Sequence, residues 1–82
     1  MKLNYESPLV VRALKNAPPS VRRAFYKQAA FLAGNLHHPS LRAKKYDEAN
    51  DVWQARVNRD WRFYFIIVDE TYVILDVVPH PK

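Results

Sequence analysis

The spacing of apolar residues changes period near the middle of the chain. Val10, Ala13, Leu14 and Ala17 recur at i, i+3, i+4 and i+7, which gathers them on one face of an α-helix. Ser7-Pro8 precedes them as a cap residue with Pro at the first helical position, and Pro18-Pro19 ends the helix. Ser20 reads as a second N-cap, followed by a stripe of Val21, Phe25, Ala29, Leu32 and Leu36, with Arg22, Arg23 and Lys27 mostly on the opposite side. Gly34-Asn35 is the chemistry expected just past a helix C-terminus. The two segments predict a helical hairpin with a basic outer surface.

Residues 36–51, LHHPSLRAKKYDEAND, carry neither period and read mostly as loop. Beyond them the period falls to two, giving strand-like runs Val52 to Val57, Trp61 to Val68 and Tyr72 to Val78. The breaks Asn58-Arg59-Asp60 and Asp69-Glu70-Thr71 suit hairpins, so an antiparallel meander is expected. Lys2-Leu3-Asn4-Tyr5 is short enough only for an edge strand.

Two three-residue loops would set Val57 opposite Trp61 and Val68 opposite Tyr72. One face then carries Trp53, Ala55, Val57, Trp61, Phe63, Phe65, Ile67, Val73, Leu75 and Val77, wholly apolar and suited to pack under the helices. The other face divides. Val52, Ile66, Val68, Tyr72 and Ile74 lie toward one end, and Gln54, Arg56, Arg62, Tyr64, Asp76 and His80 toward the other. Arg56 and Arg62 fall directly across from each other, an unfavourable pairing that implies a compensating anion. Asp76 in a salt bridge to Arg62 is one candidate, and a bound phosphate, which would relieve both arginines, is the other. Tyr72 is a candidate stacking surface, unless a partner or the helices cover it.

Composition limits the classes of function. The 82 residues suit one domain spanning 1–82, and 49% hydrophobic with 26% charged residues is a globular balance. The lack of Cys excludes disulfide scaffolds and thiolate metal sites. No apolar run is long enough for a spanning helix or a signal-peptide core, so a cytoplasmic chain is expected. The net charge of +5 is uneven: residues 1–45 hold nine Lys/Arg against Glu6, and the remainder holds four against seven acids. Such a basic half favours an anionic partner, nucleic acid above all. Arg42, Lys44 and Lys45 form a further basic cluster. His37-His38 is not read as a metal site, because adjacent side chains point apart and no third ligand is evident. His80, between Pro79 and Pro81, is held at a strand end by the fixed φ of its neighbours, and an imidazole exchanges protons near neutral pH.

The segments HHPSLRAKKYDE and VWQARVNRDWRFYFIIVDETYVILDVVPHPK resemble the RelE/ParE toxins of bacterial type II toxin–antitoxin systems. The resemblance covers Leu36 to Lys82 in motif detail and the helical hairpin in outline. It implies an α+β fold, with an N-terminal strand and helical hairpin on a three- or four-stranded antiparallel sheet. RelE-branch members cut mRNA on the ribosome with basic residues and no metal or other cofactor. The YoeB-like pattern W-x-x-R, an Arg six residues on and a His eighteen later is matched by Trp53, Arg56, Arg62 and His80. No carboxylate stands in the stretch Leu41 to Lys45, where those members carry a catalytic Glu.

The implied reaction is attack of a ribose 2′-hydroxyl on its own phosphate. Arg62, supported by Arg56, would stabilise the phosphate, His80 would protonate the leaving 5′-oxygen, and Lys45 or Lys44, with a depressed pKa, would be the base. Arg42, Lys44, Arg59, Tyr64 and Lys82 would contact RNA. The partners implied are mRNA on the ribosome and a cognate antitoxin in a hetero-oligomeric complex, with no membrane. A gyrase inhibitor of the ParE kind and a non-catalytic antitoxin-binding subunit are the alternatives.

Overall fold

The computed structural model describes residues 1–80. β1 (Lys2–Asn4) leads into α1 (Pro8–Asn16) and α2 (Pro19–Gly34), then a 3₁₀ turn (Pro39–Leu41) and four strands. These are β2 (Lys44–Asp47), β3 (Val52–Arg56), β4 (Trp61–Val68) and β5 (Thr71–Pro79). The sheet has five strands in the order β1-β5-β4-β3-β2, mixed because β1 runs parallel to β5 while the other pairs are antiparallel. The expected N-terminal edge strand is present, running parallel to β5, and β2 adds a strand to the expected antiparallel meander at the other edge. β2 was concealed in a charged stretch read as loop, and β1 pairs with a strand distant in sequence.

Both helices begin at a proline. Ser7 occupies the N-cap of α1, but its contribution is a backbone carbonyl to Val11 N–H at 2.9 Å, with no side-chain cap. α2 starts two residues earlier than Ser20 as N-cap would place it, with Pro18 at the N-cap and Pro19 in the first turn. Its end falls at Gly34 as expected, yet Asn35 is extended (φ −162°) and Gly34 does not use positive φ. Arg22 is not an outward charge: its Nη1 donates to the carbonyls of Ala17 (2.8 Å), Leu14 and Lys15 (both 3.3 Å), closing the C-terminus of α1.

The core lies between the helices and one sheet face. Val10, Leu14 and Ala17 of the α1 side and Val21, Phe25, Ala29 and Leu32 of α2 meet Ala55, Val57, Phe63, Phe65 and Val77. Phe25 and Phe63 meet edge to face with ring centroids 5.4 Å apart.

The β3–β4 register agrees with the alternation, pairing Arg56 with Arg62 and Trp53 with Phe65. The second hairpin differs. Val68 pairs with Thr71, not Tyr72, through a two-residue turn in which Asp69 (φ 47°) and Glu70 (φ 60°) are both left-handed. Positive φ at both positions is the type I′ arrangement whose twist matches the flanking strands. A bulge then leaves Leu75 between the Tyr64–Asp76 and Phe65–Ile74 pairs. A one-residue shift exchanges faces, so Tyr72 and Ile74 turn into the core, 4% and 1% exposed. Tyr72 packs edge-on against Phe65 at 5.5 Å and is not an open stacking surface; burial raises its pKa. From Asp76 onward the expected register returns.

Candidate nucleic-acid interface

Two rows of residues cross the sheet face opposite the helices. One runs Lys44, Gln54, Tyr64, Asp76, and the next runs Arg56, Arg62, Val78. His80 follows Val78 by two residues and so returns to the same face. It is exposed, and its backbone N–H is fixed to the Asp60 carbonyl at 2.7 Å. Lys82, named above as an RNA contact, lies outside the described residues.

The β3–β4 loop is built to aim Arg62. Asn58 Oδ1 accepts the N–H groups of Asp60 and Trp61, both at 2.9 Å, forming a compact side-chain-to-backbone turn. Arg62 Nη1 then hooks over the carbonyls of Asn58 (2.7 Å), Trp61 (2.9 Å) and Arg59 (3.4 Å). A guanidinium has five N–H donors. Among the described residues, nothing bonds Nη2 or Nε of Arg62, or the side chains of Arg42 and Arg56. Burial lowers the Arg62 pKa, and the charges of Arg56 and Arg42 lower it further. Arg42 therefore joins the pair as a third cation, carried on a left-handed residue (φ 47°, ψ 43°) just after the 3₁₀ turn.

Asp76 does not neutralise this cluster. Its carboxylate accepts the Val77 N–H at 2.9 Å, and the ion pair found among the described residues is Lys45–Asp51, at 2.7 Å. The bridge considered from sequence is absent there, because Asp76 aligns with Tyr64 and its oxygen is turned to its own strand.

β2 separates the two lysines. Lys44 pairs with Gln54 on the arginine face, whereas Lys45 pairs with Trp53 on the helix side, its ammonium 5.2 Å from the Trp53 ring centroid. The hydrogen bond to Asp51 raises the Lys45 pKa. The depressed pKa required of Lys45 as a base is therefore not met, and the residue faces away from Arg56 and Arg62.

Tyr64 is half-buried; its hydroxyl accepts Gln54 Nε2 at 3.0 Å, and its ring meets exposed Tyr46 at 4.8 Å. Arg59 is exposed on the β3–β4 loop. Tyr46 carries no sequence signal for this face, because its segment shows neither helical nor strand period. His38 stacks on Phe31 at 3.9 Å with an interplanar angle of 7°, and its Nδ1 accepts the Ser40 N–H at 3.2 Å, which ties the 3₁₀ turn to α2.

Replacing Lys44 with Ala is expected to weaken RNA binding about tenfold, the value of one charge-assisted hydrogen bond of ~1.5 kcal/mol. Lys45→Ala should stay within about twofold of wild type, since its partner is Asp51 and not the arginine face. Titration of a labelled single-stranded RNA at fixed salt checks this order, and a larger loss from Lys45→Ala would refute the division of faces.

The sequence matches no family model and no curated protein. Its structure does have counterparts. The RelE chain of an archaeal RelE–RelB complex from Pyrococcus horikoshii superposes with a TM-score of 0.77 at 20% identity, covering 95% of this chain and 92% of that one. A YoeB/ParE toxin from Agrobacterium tumefaciens gives 0.75 at 9% identity, covering 99% and 100%. A chain of a YoeB–YefM complex from Staphylococcus aureus gives 0.74 at 9% identity, covering 99% and 98%. No helix among the described residues is long and apolar enough to cross a membrane. Over nearly its whole length, the chain has the fold of the RelE and YoeB toxins.

Proposed function

We propose that this chain is the toxin of a toxin–antitoxin pair, and that it acts in the cytoplasm as a ribosome-dependent mRNA endoribonuclease. The observation that carries the reading is the arginine cluster. Arg56 and Arg62 are directly paired across two strands, Arg42 adds to their field, and among the described residues no carboxylate is paired with any of them. Three cations gathered on an open face are most economically balanced by phosphate.

In the proposed reaction the 2′-hydroxyl oxygen attacks the adjacent phosphorus and the bond to the 5′-oxygen breaks, leaving a cyclic phosphate and a 5′-hydroxyl. Arg62 presents Nη2 and Nε to the phosphate oxygens, with Nη1 already engaged by the loop carbonyls. Arg56 and Arg42 add charge. His80 supplies the proton to the leaving oxygen. Lys44 is the lysine on this face and so the candidate base, taking the 2′-hydroxyl proton only in its neutral amine form. Tyr46 and Tyr64 offer rings to an unstacked base, and Arg59 extends the basic border. The site is an open sheet face, so the ribosome would complete it and position the strand.

The partner is an antitoxin. Two of the matched structures are a RelE–RelB complex and a YoeB–YefM complex, and the surface here suits a similar partner. The arginine cluster continues into an apolar area of Val52, Ile66, Val68 and Val73 on the same face, from which Tyr72 and Ile74 are now removed. An acidic amphipathic segment fits both parts.

Induced expression tests the reading. Growth arrest with mRNA cut within translated regions supports it; arrest with intact mRNA and a DNA-damage response would replace it with gyrase inhibition, and unimpaired growth with a non-catalytic subunit.

A further inference from the structure

Gln28 is a polar residue on the otherwise apolar face of α2 and is 6% exposed. Its Nε2 donates to the Arg56 carbonyl at 2.9 Å and to the Ser40 carbonyl at 3.0 Å. Its Oε1 accepts from Ser40 Oγ at 3.1 Å. One buried amide thereby spans the end of β3, which carries Arg56, and the 3₁₀ turn, which carries Arg42 two residues after Ser40. Leu41, between them, is fully buried and anchors the same turn. Arg62, the third cation, is aimed separately by the β3–β4 loop. Nothing else among the described hydrogen bonds joins the 3₁₀ turn to β3.

We infer that Gln28 is a positioning residue that sets the separation of Arg42 and Arg56 so that, with Arg62, they form one phosphate site. The inference rests on the reading that this cluster takes a phosphate. A core amide kept for stability alone would need only any two acceptors. This one satisfies carbonyls on the two segments that must be held together for three like charges to share one anion.

The test is a double-mutant cycle on the purified protein, with Gln28→Met, Arg42→Ala and the double variant, using inorganic phosphate followed by NMR shifts of the arginine side-chain N–H groups. Gln28→Met keeps the volume and removes the donors. It should lower phosphate affinity about tenfold in the wild-type background, within the coupling expected inside one hydrogen-bonded network, and less than about twofold with Arg42 already gone. Ser40→Ala, a milder change outside the core, should show the same dependence on Arg42 if Gln28→Met does not fold. Equal losses in both backgrounds, or no loss, would overturn the inference, as would a wild-type protein that binds no phosphate. Cleavage of mRNA on ribosomes is scored alongside. A cycle that behaves as expected without mRNA cleavage leaves the positioning role intact and defeats the nuclease reading. Cleavage with an additive cycle does the reverse.

Discussion

Arg62→Ala is expected to lower mRNA cleavage on ribosomes by about 10²- to 10³-fold, the loss seen when one donor to a developing oxyanion is removed. The variant should remain folded, because Arg62 is only half-buried and its Nη1 bonds are to carbonyls at the β3–β4 loop, outside the apolar core. Arg62→Lys should recover little of the activity. An ammonium is a single point with three donors, and it cannot hold the Asn58 and Trp61 carbonyls while presenting a planar pair of N–H groups to phosphate. Single-turnover cleavage of a ribosome-bound message measures both. If Arg62→Lys were as active as wild type, the role of the guanidinium fork would be wrong. If Arg62→Ala were, the site would be elsewhere.

The second large effect is on stability. Phe63 is fully buried and packs on Phe25 at 5.4 Å and Phe65 at 5.8 Å, at the centre of the contact between α2 and the sheet. Phe63→Ala should cost about 3–5 kcal/mol. A domain of this length has a total stability of roughly 4–12 kcal/mol, so the variant should lose a quarter of it or more. Ile67→Ala, four residues further along β4 but 42% exposed, should cost less than about 1 kcal/mol by area. Urea unfolding followed by circular dichroism gives both values. Similar losses for the two variants would contradict the placement of the core.

The comparison of Phe63 with Ile67 also shows what the chain's pattern reveals. Alternation was sufficient for the β3–β4 hairpin, since a slip there would put Arg56 or Arg62 among Ala55, Phe63 and Phe65. It failed beyond Phe65. Asp69 and Glu70 adopt left-handed conformations without the Gly or Asn that usually announces such a turn, and the bulge at Leu75 later cancels the shift. Two compensating irregularities leave no trace in a period-two pattern. β2 was hidden for another reason: Lys-Lys-Tyr-Asp has almost no apolar signal, and its pairing with β3 comes from backbone groups.

The site was legible in proportion to how much of it lies in register. Arg56, Arg62 and Tyr64 follow from the hairpin, and His80 follows from β5 after the bulge restores the count. Lys44 and Lys45 could not be assigned to faces until β2 existed, and the outcome separates them. Gln28 was invisible because a polar residue at a core position looks like an interruption of the stripe; its purpose appears only when Ser40 and the Arg56 carbonyl are brought to it. Arg42 gains its place through the 3₁₀ turn, which Pro39 begins and the His38 ring supports.

The reaction proposed for the arginine face is cleavage of RNA by internal attack of the 2′-hydroxyl with His80 as proton donor. It is tested most directly by adding the purified protein and its His80→Ala variant to ribosomes stalled on a defined message and analysing the ends produced. The expected products for the wild type are a cyclic phosphate on one fragment and a 5′-hydroxyl on the other, with the rate reduced by about 10²-fold or more in the variant. Intact message with the wild-type protein, or equal rates for the two proteins, would contradict it.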